Sequence, residues 1–178
     1  MHRLDCVALA FVGGFAFQQQ GMQNRTTLDI DFICQKLGNA RKALERDPDF
    51  QFGSRLASGA FLAHYKARNN SGEIVMVPIN GLQAGEFGPR RIVAEKVTYV
   101  NGIPVLNWTE LLRMKIKSYA ARQVDKDRND ILYCLEHHRH RLDTGRLEDV
   151  VFDNFDSCPT EIQLELNELF GYDLGSGD

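Results

Sequence analysis

The five residues Leu28-Asp29-Ile30-Asp31-Phe32 alternate apolar and acidic side chains. Successive side chains of a strand point to opposite faces. Leu28, Ile30 and Phe32 are therefore predicted to enter a core, with Asp29 and Asp31 together on the other face. Two adjacent carboxylates repel unless a cation lies between them, and Mg²⁺ takes oxygen ligands of this kind. Upstream, residues 7–12 are apolar without interruption, as in a buried strand, and end on Gly13-Gly14. Glycine makes a tight turn or a close backbone approach easy there. Residues 15–22 can then form a helix whose first N–H groups point back at the turn and attract phosphate, although a plain strand–helix turn reads the same way. The glycine turn and the acid pair together point to a metal–nucleotide site.

The rest of the chain supplies the frame. Residues 35–46 read as a polar helix closed by Asp47-Pro48-Asp49. Phe61, Ala63 and Tyr65 alternate with Leu62, His64 and Lys66, a strand pattern. Asn69-Asn70-Ser71-Gly72 is a turn, so residues 73–82 return as the second strand of a hairpin. A loop over 82–91 bears Gly and Pro, and Asn101-Gly102 then joins strands 97–100 and 103–106 in another hairpin. Asn107-Trp108-Thr109-Glu110 has the form of a capping box. The helix it opens, Trp108 to Arg122, sets Leu111, Leu112 and Lys115 on one face, continued by Tyr119 and Arg122. A second helix from Asp127 offers Ile131, Cys134 and Leu135 to the core, and a third after Pro159 carries Ile162, Leu164, Leu166 and Leu169.

Composition narrows the class. The 178 residues, 43% of them hydrophobic, suit a soluble globular protein with a sizeable core, and no apolar run approaches a membrane helix in length. Residues 7–17 could mimic the core of a signal peptide, but Asp5 precedes them and Phe17-Gln18 replaces a small-residue cleavage site. Cys6, Cys34, Cys134 and Cys158 are scattered, the usage of reduced thiols, and we expect a cytoplasmic protein. The net charge of −3 is unevenly spread: residues 147–178 hold nine acids and no Lys or Arg, leaving 21 basic and 15 acidic groups, or +6, in residues 1–146. A basic body attracts phosphates. The acidic tail reads either as a solvated helix or as a screen over that body.

With these residues in place, the chain resembles the nucleotidyltransferase fold of the DNA-polymerase-β type, and within it the AbiEii-like group known from toxin–antitoxin systems. The resemblance covers roughly residues 7–136. It is carried by Val12-Gly13-Gly14-Phe15-Ala16, by Arg25-Thr26-Thr27-Leu28-Asp29-Ile30-Asp31, by Leu111-Leu112-Arg113-Met114-Lys115, and by Arg122 with Lys126-Asp127-Arg128-Asn129-Asp130-Ile131. It implies an α+β (α/β) fold: a mixed sheet flanked by helices over residues 1–106, a helical extension over 107–146 that completes the site, and the acidic helix or tail over 147–178. It also implies a nucleoside triphosphate with Mg²⁺ or Mn²⁺. Gly13, Gly14, Arg25, Thr26, Lys115 and Arg122 would then serve the nucleotide, and Asp29 and Asp31 the metal. Lys115 would face the phosphates. Asp127 or Asp130 would act as base for the incoming hydroxyl or as a brace for Lys115. The acceptor would be an RNA end, a protein side chain or a small molecule, with RNA suited to the basic body.

Three departures bear on activity. Many members carry a third carboxylate on the strand after the hairpin, where this chain has Asn80 in Val75-Met76-Val77-Pro78-Ile79-Asn80. Gly14 stands where polymerase-β-type enzymes often have Ser. A helix common upstream of the first strand is expected to be short or absent. A second reading is therefore a nucleotide- or partner-binding module that has lost turnover.

Several residues admit two readings. Asp29 and Asp31 could be a solvent-facing acidic strand. Arg25 serves equally as a phosphate contact or a carboxylate partner. Lys115 lies on an otherwise apolar helix face, either functional or snorkelling. Asp127 and Asp130, three apart, share a face, and either could be a helix N-terminal charge. His137, His138 and His140 invite a zinc reading, but interleaved Arg139 and Arg141 make a basic, solvated helix end that could also touch an RNA backbone.

Overall fold

The computed structural model describes residues 9–55, 60–86 and 88–171. Cys6, the start of the first expected strand at Val7 and the last residues of the acidic tail lie outside them. The chain forms two compact units, one ending at Leu106 and the other beginning at Asn107.

The first unit is a mixed seven-stranded sheet with two helices. In chain order its elements are β1 (Leu9–Val12), α1 (Gly13–Gln19), β2 (Ile30–Cys34), α2 (Leu37–Leu44), β3 (Phe50–Arg55), β4 (Phe61–Arg68), β5 (Ile74–Gln83), β6 (Val97–Val100) and β7 (Ile103–Leu106). Across the sheet the order is β3-β4-β5-β2-β1-β7-β6. β2 runs antiparallel to β1 and parallel to β5, so that Val12, Asp31 and Asn80 stand level on three adjacent strands. This row positions everything that follows.

Phe32 and Cys34 of β2 join Leu37, Phe61, Ala63 and Ile79 in one buried cluster, with Phe11, Phe50, Phe52 and Tyr65 packed around it. Phe32 meets Phe61 edge-on at 5.9 Å between ring centroids. Burying side chains of this size stabilises a fold by about 1.5–3 kcal/mol each. The pleat turns Asp31 away from this cluster. The alternation expected from Leu28 onward holds only from Ile30. Leu28 is 82% exposed and sits in a bend rather than a core strand. The reason is local: the Thr27 hydroxyl donates toward the Asp29 carbonyl oxygen, 3.0 Å away, and curls the backbone before pairing with β1 begins.

Two further boundaries move. The helix expected over 15–22 begins at Gly13 and ends at Gln19, and the polar helix over 35–46 is confined to Leu37–Leu44. β3 is an addition that the sequence reading passed over. Gly53-Ser54 interrupts its pattern, and its pairing with β4 shifts register between Phe52 and Arg55.

The second unit is helical: α3 (Trp108–Arg122), α4 (Asp125–His138), α5 (Thr144–Asn154) and α6 (Thr160–Phe170). Asn107 caps α3 through its side chain, which accepts from the Glu110 N–H at 3.0 Å. Gln123, in the left-handed region at φ 50°, ends it. Leu111, Leu112, Ile131, Cys134, Leu135, Ile162 and Leu166 are buried as expected and Ile116 joins them, whereas Leu164 points to solvent. α5, expected only as part of the acidic helix or tail from residue 147, contributes Leu147, Val150 and Val151 to the same core.

The acidic C-terminal helices are neither free in solvent nor idle. Asp149 of α5 is held bidentately by Arg113, Glu161 of α6 pairs with Arg128, and Glu165 and Glu168 both reach Arg139. Glu110, almost fully buried, pairs with Arg146. Four of the tail's nine acids are thus matched within its own unit.

Candidate functional site

In the first unit, Asp29 and Asp31 come together with Asn80. The Asn80 Nδ2 donates to Asp31 Oδ1 at 2.7 Å and to Asp29 Oδ2 at 3.3 Å. Carboxylates only accept hydrogen bonds, so the amide must present its nitrogen to them. The Thr27 hydroxyl lies 3.0 Å from Asp29 Oδ1 and fixes the other side of that carboxylate. Asp29, Asp31 and Asn80 are all half-buried. Two carboxylates therefore converge within reach of a single atom.

Gly13 and Gly14 explain why the turn beside this pair is built of glycine. Gly13 has φ +62°, and a Cβ there would fall 2.3 Å from Asp31 Oδ2. A Cβ on Gly14 would fall 2.7 Å from the Thr27 hydroxyl oxygen and 3.3 Å from the Arg25 guanidinium carbon. The backbone at the start of α1 thus presses directly onto the acidic strand, which any other residue would prevent. Arg25 is 8% exposed, and its Nη1 donates to the Thr26 carbonyl at 2.7 Å. The Gln18 amide donates to the Arg25 carbonyl, tying the Arg-Thr-Thr segment to α1. Thr26 itself is exposed.

The donor set fits a hard divalent cation in part. Among the described residues no group of three or more His, Cys, Asp and Glu side chains is arranged to hold a metal. Two carboxylates are what this site provides. Mg²⁺ is commonly held by one or two carboxylates, with phosphate oxygens and water completing its shell.

In the second unit, Lys115, Arg122, Asp127 and Asp130 form one cluster. The Lys115 ammonium lies 2.8 Å from Asp127 Oδ1 and 2.6 Å from Asp130 Oδ2. Arg122 adds Nε at 2.7 Å to Asp127 Oδ2 and Nη2 at 3.1 Å to Oδ1. Both aspartates are 0% exposed and Lys115 is 8% exposed. Burial alone would push the Asp127 carboxyl up, but the donors from Arg122 and Lys115 outweigh it and hold the group below its ordinary value. The i, i+3 spacing of Asp127 and Asp130 on α4 places both on the face that meets Lys115 of α3.

A pH dependence follows from that shift. Because the folded Asp127 pKa is depressed, its contribution to stability is full above the unfolded value of 3.8 and is lost as pH falls through the lower folded value. Acid unfolding monitored by helical circular dichroism should therefore begin at a higher pH in Asp127→Asn than in wild type. Coincident acid midpoints would count against the cluster as a stabilising unit.

The histidine-rich helix end is only partly solvated. His138 stacks on Trp108, ring centroids 3.8 Å apart and planes at 12°, with Tyr133 against both. Burial, then the positive charge of Arg141 and the neighbouring histidines, keeps the His138 imidazole below its usual pKa. His137 contacts Tyr133. These rings form an aromatic packing cluster around Trp108. What sequence reasoning missed at the acidic site is the Thr27 and Gln18 support and the donor role of Asn80. A hydroxyl two residues before Asp29 was the available signal for the first.

No protein-family model and no curated protein matches the sequence. Solved structures do match its fold. An antigenic nucleotidyltransferase-like protein from Paracoccidioides brasiliensis superposes with TM-score 0.54 at 20% identity, covering 84% of this chain and 82% of that one. JHP933 from Helicobacter pylori gives 0.57 at 16%, covering 92% and 82%. The antibiotic-resistance factor ANT(2'')-Ia gives 0.52 at 18%, covering 91% and 88%. At these identities the likeness establishes the fold, which is nucleotidyltransferase-like and α+β.

Proposed function

We propose that this protein is a divalent-cation-dependent nucleotidyltransferase that moves a nucleoside monophosphate from a nucleoside triphosphate to a hydroxyl, releasing pyrophosphate. The observation that carries the proposal is the convergence of Asp29 and Asp31 beside the Gly13 turn, in a fold of nucleotidyltransferase type. The finer kinship we favour is the AbiEii-like group, on the Gly-Gly and Arg-Thr-Thr-Leu-Asp-Ile-Asp segments.

Asp29 and Asp31 are the residues that would hold Mg²⁺ or Mn²⁺. A bound cation would supply charge neutralisation for the carboxylates and the triphosphate and polarise the phosphorus under attack. Gly13 and Gly14 let the backbone close beside the pair, and we assign them to the nucleotide with Arg25 and Thr26. Lys115 is our candidate for phosphate neutralisation, with Arg122 supporting it. Asp127 and Asp130 we assign as braces. Asp127, fully buried, accepting from three donors and held below its ordinary pKa, is a weak base. Phosphoryl-type transfer depends mostly on positioning and charge, so a strong base is not required. The acceptor class we favour is a hydroxyl of RNA, protein or a small molecule.

The test is calorimetric titration with each NTP, with and without Mg²⁺, for wild type and Asp29→Ala/Asp31→Ala. Mg²⁺-dependent binding that the double variant loses at least tenfold is the expected result. Equal binding by both proteins would overturn the assignment. Asn80 favours a second reading, a nucleotide-binding module without turnover, because an amide adds no charge to the acid pair. NTP binding without pyrophosphate release in the presence of a broad acceptor panel would select it.

A further inference from the structure

We infer that Asn80 is this protein's own substitute for a cation between Asp29 and Asp31, and that it keeps the pair closed to a bare metal ion. The inference rests on the metal–nucleotide reading above and adds an order of loading to it.

The Asn80 nitrogen lies within hydrogen-bond reach of one oxygen from each carboxylate, at 3.3 and 2.7 Å. A primary amide carries two N–H donors, one for each acid. The positive end of the amide dipole therefore stands where two like charges need compensation. This placement is rigid. Asn80 is paired on one side with Asp31 of β2 and on the other with Leu62 of β4, so its backbone is fixed by ladders on both flanks. Thr27 restrains Asp29, and the Gly13 backbone closes on Asp31.

An N–H donor and a metal ion cannot share the space between two carboxylates, since both present positive charge to the same oxygens. A cation entering alone must displace two charge-assisted hydrogen bonds. In return it receives only two carboxylates and, once the amide turns over, a neutral carbonyl oxygen. A triphosphate brings further anionic oxygens and changes that balance. Metal and nucleotide should thus enter together, the metal binding weakly without the nucleotide. A carboxylate at this position would instead bind the ion ahead of the nucleotide, because three acids repel one another until it arrives.

The test uses the full chain and Mn²⁺ as the probe, counting free ion by electron paramagnetic resonance alongside thermal unfolding. Wild type, Asn80→Asp, Asn80→Ala and Asn80→Asp combined with Asp29→Ala/Asp31→Ala are compared, with wild type measured also in the presence of each NTP. Asn80→Asp should bind Mn²⁺ alone at least tenfold more tightly than wild type and lose that gain when Asp29 and Asp31 are removed. Without metal it should unfold at a lower temperature, with Mn²⁺ restoring the difference. Asn80→Ala, which loses the donors without adding charge, should unfold between the two in the absence of metal. An Asn80→Asp protein that binds Mn²⁺ no more tightly than wild type overturns the inference, as does an Asn80→Ala protein as stable as wild type. A protein with Asn80→Asp that stays unfolded even with Mn²⁺ overturns it too, because the ion should relieve the added charge. Absence of metal-dependent NTP binding by wild type overturns the proposed function and the order of loading with it, whereas a gain in Asn80→Asp would still establish that Asn80 closes the acid pair to a bare ion.

Discussion

Lys115→Met should lower stability by about 3–5 kcal/mol, the usual consequence of removing one partner from a buried ion pair. The ammonium reaches two aspartates that are both 0% exposed, so its loss removes the cation that serves both buried carboxylates, with Arg122 still on Asp127. Methionine matches the stem in volume, which separates the charge from a packing defect. In a chain of this length the change corresponds to a fall of roughly 6–20 °C in Tm, readable by scanning calorimetry. Adding Asp130→Asn to Lys115→Met should restore part of it. A loss below about 1 kcal/mol, the level typical of exposed ion pairs, would show that the cluster is hydrated and would remove the argument that Asp127 and Asp130 brace the lysine.

The second large effect belongs to Gly13→Ala. At φ +62° an alanine is strained by about 1–2 kcal/mol. Its methyl would also sit 2.3 Å from Asp31 Oδ2, so the carboxylate or the turn must move. Metal-dependent nucleotide binding should fall at least tenfold, beyond what the stability change explains, because Asp31 is displaced from Asp29. Gly38→Ala is the matching control. It lies in α2 with nothing within 4 Å of an added Cβ, and helix propensity favours alanine there. Unchanged nucleotide binding in Gly13→Ala, with Gly38→Ala also silent, would separate the turn from the site.

Much of this architecture was legible in the sequence wherever a local rule acted alone. The two hairpins announced themselves through Asn69-Asn70-Ser71-Gly72 and Asn101-Gly102, and α3 through the Asn107 cap and its apolar face. Ile131, Cys134 and Leu135 followed from helical spacing. The reading failed where tertiary context overrode pattern. Leu28 continued the alternation of β2 on paper, yet the Thr27 turn ends the strand before reaching it. β3 is an edge strand interrupted by Gly53-Ser54, and its existence depends on β4 lying beside it. At the acidic site, alternation pointed to Asp29 and Asp31, and the family resemblance to Asn80. Only the sheet register, which sets Asn80 level with Asp31, shows that the asparagine donates to both acids. The Lys115 cluster was visible as a charged residue on an apolar face, but not that both aspartates would close on it.

The pairing of the C-terminal acids with Arg113, Arg128 and Arg139 has a consequence for any polyanion that approaches this helical unit. Nucleic acid normally gains affinity by releasing condensed counterions as arginines replace them. Here the arginines already hold carboxylates of their own chain, which cannot diffuse away. A polyanion docking on them would exchange one fixed anion for another, with little mixing entropy released. At those three arginines its affinity would depend weakly on salt.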